Sequence, residues 1–325
     1  MKILIAVLLI ASVERLQARD FSWESAKNSV SELTEEQEYA VLLQRLGELE
    51  ELDFAPRSGD HYGYEEHSEY PPERWVEKWP TCGGLKQSPI NVDPSSCKRD
   101  LALFPIKLNN YDVNPVTSTV TNVGHAVQVS FTYGKNAPYV TRGILNLKRY
   151  NFQQFHFHFG KTDSVGSEHT LSSKHYPLEL HLVHSKSTYA DVSEASQHSD
   201  GLLVLGFLFQ VSDADDDETN NSLSGYLTDF LSQIKNSGES VTVDNAKSHR
   251  LLDFIGSLSF KYVRYEGSLT TPPCSEAVTW YVSSTILKVS RATLEGFRGV
   301  NGDEGQMAGN HRPTQDLNGR DCYVR

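Results

Sequence analysis

Positive charge, cysteine and long apolar runs are all scarce in this 325-residue chain. Its 30 Lys and Arg face 42 Asp and Glu, which gives a formal net charge of -12. Because an acidic surface repels phosphate groups and anionic lipid headgroups, we expect no nucleic acid binding and no binding to membrane surfaces. No stretch beyond the first residues is long and apolar enough for a membrane anchor. What remains is a globular composition, with 38% hydrophobic residues and enough length for a large core.

The first residues have the form of a secretory signal peptide. Lys2 precedes a short apolar run over residues 3–11, and Glu14 and Arg15 follow it. The run has about half of the roughly 20 residues that span a bilayer, and Ala18 suits the position before a cleavage point. We therefore expect a signal peptide over residues 1–18 and a secreted, extracellular protein; a signal anchor is the alternative. The four cysteines could form two disulfides in such an oxidising compartment.

Residues 19–60 form an acidic leader in this interpretation. Residues 20–60 hold eleven Asp or Glu against three Lys or Arg, so this segment carries -8 of the net charge. Apolar residues recur there at helical spacing and follow a capping box, which predicts one amphipathic helix. The helix either rests on the main domain or serves as a dimerisation or partner helix. The residues of the pattern are Thr34, Gln37, Tyr39, Leu42, Leu43, Leu46 and Leu49.

Residues 61–325 are predicted to form a single β-rich domain of the α+β class. Helical periodicity is scarce, and turn residues separate short alternating or apolar runs, which predicts a large twisted, mostly antiparallel central sheet with short peripheral helices. The acidic run 213–218 is predicted to be a solvated loop, and Asn220 begins a glycosylation sequon. The predicted strands include residues 126–131, 152–159, 178–184, 202–211 and 278–286.

Histidine and phenylalanine alternate in the most informative of these strands. Side chains of a strand point alternately to its two faces, so Gln154, His156 and His158 share one face and the three phenylalanines share the other, towards the core. Positions two apart in a helix would lie about 200° from each other, so this spacing places two imidazoles side by side only on extended chain.

A second strand repeats the pattern. Glu179, His181 and Val183 share one face, while Leu180, Leu182 and His184 share the opposite one. A single pair of histidines on a strand is more often a packing feature, but a third imidazole with Glu179 and Gln154 as acceptors for the ligand rings favours a metal site. Three imidazoles suit zinc and leave the fourth tetrahedral position open, which is typical of catalytic sites.

With these strands in view, the chain resembles an α-class carbonic anhydrase of the secreted type. The resemblance covers roughly residues 61–320 and rests on several motifs that occur in the family's order. They are Gln87-Ser88-Pro89-Ile90, the His156-Phe157-His158 strand, Gly166-Ser167-Glu168-His169-Thr170, Glu179-Leu180-His181-Leu182-Val183-His184 and Gly267-Ser268-Leu269-Thr270-Thr271-Pro272-Pro273.

The resemblance implies a zinc ion on His156, His158 and His181, and the reversible hydration of carbon dioxide to bicarbonate and a proton. It also implies that Thr270 donates its proton to Glu168. A hydroxyl has one proton to donate, so Thr270 can then only accept a hydrogen bond from the attacking nucleophile, which orients it.

A substrate pocket and a proton path are implied in the same way. His125 matches the family's proton shuttle, expected at the rim as an exposed group with a pKa near the working pH. Tyr64 matches a tyrosine of the solvent network, and Tyr62 stands where many members have tryptophan. Without the resemblance, the pocket residues would be read as ordinary core. The implied pocket comprises Val183, Val204, Leu269, Thr271, Val278 and Trp280.

The cysteines divide into an implied pair and an open pair. Cys82 and Cys274 match a disulfide of exported members of the family. Cys97 and Cys322 either pair with each other or leave Cys322 to bridge to a second chain, so a homodimer through Cys322 or the leader helix stays open. Two alternatives to the enzyme are also open: a carbonic-anhydrase-like extracellular binding or matrix protein with weak or no catalysis, and a zinc esterase with the same site.

Overall fold

The computed structural model describes residues 61–99, 106–142, 148–212, 218–244, 249–307 and 309–324. The predicted signal peptide, the acidic leader with its helix, and residues 213–217 of the predicted acidic loop lie outside these residues.

The described residues form a sheet-rich fold with a few short helices, as the sequence predicts. The helices are α1 (Trp75–Lys78), α2 (Val192–Ser196), α3 (Glu218–Leu231), α4 (Leu251–Ile255) and α5 (Arg291–Arg298), with 3₁₀ turns at Pro72–Arg74 and Pro80–Gly83. The strands are β1 (Asn91–Val92), β2 (Lys98–Arg99), β3 (Ile106–Asn109), β4 (Thr117–Asn122), β5 (Val127–Thr132), β6 (Tyr139–Arg142), β7 (Lys148–Phe159), β8 (Thr170–Leu171), β9 (Leu178–Lys186), β10 (Leu202–Ser212), β11 (Ser240–Asp244), β12 (Tyr262–Gly267), β13 (Val278–Ser283), β14 (Leu287–Ser290), β15 (Asn301–Gly302), β16 (Gly305–Gln306) and β17 (Cys322–Val324).

Thirteen of these strands make one mixed sheet in the order β11-β4-β5-β7-β9-β10-β13-β12-β17-β2, with β3, β6 and β14 attached at its sides. Its pairings are mostly antiparallel, as predicted; β10 is parallel to β13 and β14, and β17 is parallel to β2. The long strands β7, β9 and β10 lie side by side at the centre. No helix in the described part of the chain is both long and apolar enough to cross a bilayer.

One face of the central strands is covered by helices α3, α4 and α5, which enclose the larger core. Phe155, Phe157 and Phe159 of β7 are fully buried in it, and the Phe157 and Phe297 rings lie 4.9 Å apart between centroids. This confirms the predicted orientation of the three phenylalanines. Burying a phenylalanine this completely is worth about 3–5 kcal/mol against alanine, so the apolar face holds β7 in one orientation.

His184 lies on this core face too, as the alternation of β9 predicts. Its Nε2 is 2.6 Å from the Tyr111 hydroxyl, and its Nδ1 is 3.2 Å from the Leu203 carbonyl oxygen. Burial lowers the pKa of His184 to about 4, so the ring is neutral at pH 7. His184 is therefore a satisfied core histidine that faces away from the three histidines of the predicted site.

The predicted strand over residues 278–286 is wrong at its end. Strand β13 stops at Ser283, whose hydroxyl accepts a hydrogen bond from the Thr285 N–H and donates one to the Thr285 carbonyl. A serine that bonds nearby backbone in this way offers the chain an alternative to the strand ladder. The chain turns there and continues as β14 beside β10.

Both pairs of cysteines are disulfide-bonded. Cys82 pairs with Cys274, as the family resemblance implies, and Cys97 pairs with Cys322. The second pair decides between the two alternatives for Cys322, because its sulfur is already used within the chain. It also joins β17, which pairs with β12, to the segment before β2.

Both disulfides can be tested by counting free thiols. We expect no free thiol in the denatured, unreduced protein, and two or more would contradict the pairing. Replacing Cys97 and Cys322 together by serine should lower the free energy of unfolding by about 2–5 kcal/mol, because each bond closes a long loop. Urea denaturation of the variant and of the unaltered protein gives the difference.

Candidate metal centre

Three imidazoles from β7 and β9 meet on the face of the sheet opposite the phenylalanines. His156 lies directly across from His181 in the strand register, and His158 follows two residues along β7. The ring centroids are 4.6 to 5.3 Å apart. One nitrogen of each ring lies within 4.8 Å of the other two, which is close enough for all three to reach one ion. The strand alternation thus places the predicted ligands together.

The outward nitrogens of two of these rings are bonded to the predicted acceptors. His156 Nδ1 lies 2.9 Å from Gln154 Oε1, and His181 Nε2 lies 2.7 Å from Glu179 Oε1. A ring that donates one N–H leaves its other nitrogen as a lone-pair donor. This leaves His156 Nε2 and His181 Nδ1 as the ligand atoms.

The third ring is held by a residue that the sequence analysis missed. His158 Nδ1–H donates to the Asn310 carbonyl at 2.6 Å, and His158 Nε2 is buried without a hydrogen-bond partner among the described residues. The Asn310 side chain accepts from the Phe159 N–H at 2.8 Å and donates to the carbonyls of Phe157 (2.8 Å) and His125 (3.0 Å). Asn310 therefore fixes both the third ligand and the end of β7.

Burial keeps the three imidazoles neutral. It lowers the pKa of His156 and His158 well below the usual value, and repulsion between the clustered rings adds to the effect. Burial also lowers the pKa of His181, although the Glu179 charge acts in the opposite direction. Neutral imidazoles are the form that binds a metal.

Glu179 is the centre of a further network. Its oxygens accept from the His169 backbone N–H (2.8 Å) and lie 2.7 Å from His169 Nδ1. The Tyr265 hydroxyl lies 2.7 Å from His169 Nε2 and 2.9 Å from Ser88 Oγ. Burial alone would raise the pKa of Glu179, but its electrostatic interactions and hydrogen bonds with His169 and His181 outweigh burial and lower the pKa. The carboxylate that bonds to His181 is thus ionised and fixed on both oxygens.

The motifs that contain Ser88 and His169 were noted in the sequence without a role for either residue. Tyr265 lay outside those motifs. The signal that could have found His169 is its position directly after Glu168 in the sequence. The segment is irregular, however, so the alternation of a strand does not predict where its side chain points.

Glu168 is fully buried beside the cluster. Its Oε1 accepts from the Arg312 N–H at 2.9 Å, and its Oε2 lies 3.4 Å from His158 Nε2. No described donor is in hydrogen-bonding geometry with Oε2, although the Thr270 side chain is close enough to lower the pKa of Glu168. Burial and the nearby Glu179 outweigh it, so the pKa is raised. The bond predicted between Thr270 and Glu168 stays a prediction.

Arg312 joins this carboxyl to the disulfide, and the sequence analysis missed it. Its guanidinium donates to the Cys82 carbonyl (2.9 Å), the Ser88 carbonyl (2.8 Å) and Gln87 Oε1 (2.9 Å). One buried residue therefore holds both the segment beside Cys82, through its guanidinium, and the carboxyl of Glu168, through its backbone N–H.

Most of the residues implied as a substrate pocket lie in a second apolar cluster, which also includes Ile90, Val92 and Val282. Leu269 packs against this cluster from the loop after β12, and Thr271 is half-buried two residues further on. The Trp280 ring lies 4.7 Å from the His181 ring, and its Nε1–H donates to the Ser268 carbonyl at 3.0 Å. The members from the strands are Val183, Val204, Val278 and Trp280.

The Tyr62 ring lies near both His125 and Tyr64, the two residues implied in the proton path. The His125 ring is half-buried, 5.1 Å from the Tyr62 ring, which in turn lies 6.1 Å from Tyr64. Burial lowers the pKa of His125 to about 4, whereas the sequence analysis expects an exposed group with a pKa near the working pH. The Tyr64 hydroxyl is buried without a described partner, and burial raises its pKa.

The large mixed sheet carries three converging imidazoles, with an apolar cluster and a buried carboxyl beside them. Together these features define the class of open three-histidine sites. The family model of the eukaryotic-type carbonic anhydrase matches residues 70–325, well over half of the chain. The chain therefore belongs to the eukaryotic-type carbonic anhydrase family, and the match supports carbon dioxide hydration as its general class of reaction.

Asn310 gives a test of this part of the structure. Asn310→Ala removes three side-chain hydrogen bonds and leaves buried partners unsatisfied, at about 1–3 kcal/mol each and not additively. We expect a loss of about 3 kcal/mol or more in the free energy of unfolding, measured by urea denaturation with the disulfides intact.

The control for Asn310 is Gln306→Ala, which removes an exposed bond to the Arg298 carbonyl. It should change stability by less than about 0.5 kcal/mol. Equal losses in the two variants would contradict the role given to Asn310.

Proposed function

We propose that this protein is a zinc-dependent enzyme that reversibly hydrates carbon dioxide to bicarbonate and a proton. The observation that carries the proposal is the set of three neutral imidazoles, each with its outward nitrogen already bonded and its inner nitrogen within 4.8 Å of the other two.

The donor set fits zinc. Imidazole nitrogens are preferred zinc ligands, and the buried His158 Nε2 has no other described partner. The outer partners are an amide, a backbone carbonyl and an ionised carboxylate, which are the groups that orient ligand histidines in zinc proteins. His156, His158 and His181 would hold the ion, and Gln154, Asn310 and Glu179 would hold the ligands.

A zinc ion with three protein ligands supplies a water acidic enough to serve as a nucleophile at neutral pH. The residues around the site would direct that chemistry. Because Glu168 Oε1 is used by the Arg312 N–H, Oε2 is the acceptor that remains for the Thr270 hydroxyl. Once Thr270 donates its proton there, it can only accept from the nucleophile, and this fixes the direction of attack.

The apolar cluster beside His181 suits the substrate. Carbon dioxide has neither net charge nor dipole, so an apolar wall can hold it without leaving a polar group unsatisfied. Val183, Val204, Leu269, Val278 and Trp280 would form this wall, with Thr271 at its polar edge. His125 would carry the proton towards solvent, and Tyr64 would contribute to the solvent network along the same path.

We further propose that the protein is exported. In this proposal residues 1–18 are a signal peptide, residues 19–60 are an acidic leader and residues 61–325 are the catalytic domain. Two disulfides are compatible with an oxidising compartment outside the cytosol. Glycosylation at Asn220 and dimerisation through the leader helix belong to the same proposal.

The zinc proposal predicts one zinc ion per chain and carbon dioxide hydration that stops when a chelator removes the ion. His181→Ala should weaken zinc binding by more than about 100-fold, because even the outer partners of ligands are worth 10–100-fold. Competition with a chromophoric chelator measures affinity, and a stopped-flow pH-indicator assay measures hydration.

The control for His181 is His198→Ala, since His198 stacks on Tyr189 at 4.1 Å, outside the three-histidine cluster. This variant should keep both zinc and activity. A protein that binds zinc but does not hydrate carbon dioxide would instead support the binding or matrix alternative, and ester hydrolysis without hydration would support the esterase.

The orienting role of Thr270 predicts a separate result. Thr270→Val keeps the shape of the side chain but removes the hydroxyl, and we expect kcat/KM to fall about 100-fold with zinc content unchanged, since a misdirected nucleophile costs about that factor. The neighbouring substitution Thr271→Val is the matched control and should have a much smaller effect. Equal effects at the two positions would contradict the orienting role.

A further inference from the structure

His125, which would carry the proton in the proposed function, lies in a tight turn that connects β4 and β5. The Val123 N–H donates to the Ala126 carbonyl at 3.0 Å across this turn, and Gly124 has a φ of 83°. Residues with a side chain rarely adopt such a φ, so glycine suits the position that sets the direction of His125.

A second turn, over residues 302–305, is fastened to the first one. The Asp303 N–H donates to the Gly124 carbonyl at 3.0 Å. The carboxylate of Asp303 lies directly against the Gly124 Cα, because a methyl group added at Gly124 would overlap both of its oxygens. One of these oxygens also accepts a hydrogen bond from the Ser237 hydroxyl. The Asp303 carboxylate is therefore held in place against Gly124, the residue that precedes His125.

Three titratable groups act on the His125 ring or lie beside it. Tyr62 contacts it from the N-terminal segment, Asp303 lies against the preceding residue, Gly124, from the second turn, and His156 on β7 interacts with it electrostatically. Burial lowers the pKa of His125, and the Asp303 charge and the Val123 backbone act in the opposite direction. The same charge also raises the pKa of the Tyr62 phenol.

We propose that Asp303 is a positioning residue for His125, in which the backbone N–H fixes the turn and the carboxylate stabilises the protonated imidazole. The inference rests on the proposed function only in giving His125 a proton to carry. A half-buried imidazole without a nearby negative charge is a poor proton acceptor, whereas a fixed carboxylate beside it offsets part of the cost of burial. In this role Asp303 does not take the proton itself, which moves on to solvent.

The neighbouring Glu304 offers a matched control. Its carboxylate accepts a hydrogen bond from the Ser68 hydroxyl and lies against Gly63, so it is directed towards the N-terminal segment. Glu304→Gln removes the same charge from the same turn, one residue away. A difference between variants at the two positions reports the placement of the Asp303 charge and not the net charge of the molecule.

The test is a pH titration of the His125 ring by two-dimensional NMR of the full-length protein labelled at histidine, with the His125 signal identified by its loss in His125→Gln. Asp303→Asn keeps the N–H that bonds to Gly124 and the acceptor for Ser237, but removes the charge. We expect it to lower the pKa of His125 by about half a pH unit, a reduced value for an opposite charge because Asp303 is exposed and screened by salt. Glu304→Gln should leave the titration unchanged, and Asp303→Glu should restore most of it.

Equal shifts in Asp303→Asn and Glu304→Gln, or no shift in Asp303→Asn, would overturn the proposal. If Asp303→Asn does not fold, the unaltered protein supplies the test: raising the salt concentration to about 1 M should lower the pKa of His125 more than that of His184, whose pKa is set by burial and backbone hydrogen bonds. Equal salt responses of the two rings would then overturn it.

The titration is carried out on metal-free and zinc-loaded protein alike. It is therefore independent of the proposed function. A shift in a protein that does not hydrate carbon dioxide would refute the enzyme and keep the role of Asp303, whereas hydration without the shift would refute the role of Asp303 alone.

Discussion

The candidate metal centre depends on the register between β7 and β9. His156 and His181 are direct partners across these strands, and the alternation that turns both towards one face turns Phe155, Phe157 and Leu180 into the core. A slip of one residue would reverse every side chain of the shifted strand, which would bury imidazoles and expose phenylalanines. The apolar packing on one face of the sheet therefore sets the position of the nitrogens on the other.

Around this pair of strands, irregular segments contribute single groups that complete the site. Asn310 holds the His158 ring through its carbonyl, and Arg312, two residues later, holds Glu168 through its N–H and the Cys82 segment through its guanidinium. The same short stretch of chain thus fixes a ligand ring, the buried carboxyl and the backbone beside a disulfide. A displacement of this stretch would disturb all three together.

The difference between regular and irregular segments explains what could be predicted from the sequence. The alternation of residues 154–159 and 178–184 is a local signal. It predicts the two strands and the shared face on which the structure places three histidines beside Gln154 and Glu179. Asn310, Arg312 and Tyr265 act through individual hydrogen bonds to residues that lie 96 to 230 positions away in the sequence. No local sequence pattern indicates such contacts. The half-buried setting of His125 depends on a turn that packs against it from far along the chain, and the end of β13 depends on one serine hydroxyl.

The late position of Asn310 in the sequence has a consequence for the order of assembly. A nascent chain that has left the ribosome only as far as β13 already carries all three histidines, but the carbonyl that orients the His158 ring is still to be synthesised. Up to that point a captured ion would meet one ligand free to rotate. Complete orientation of the three rings would therefore follow synthesis of this segment, later than the pairing of the central strands.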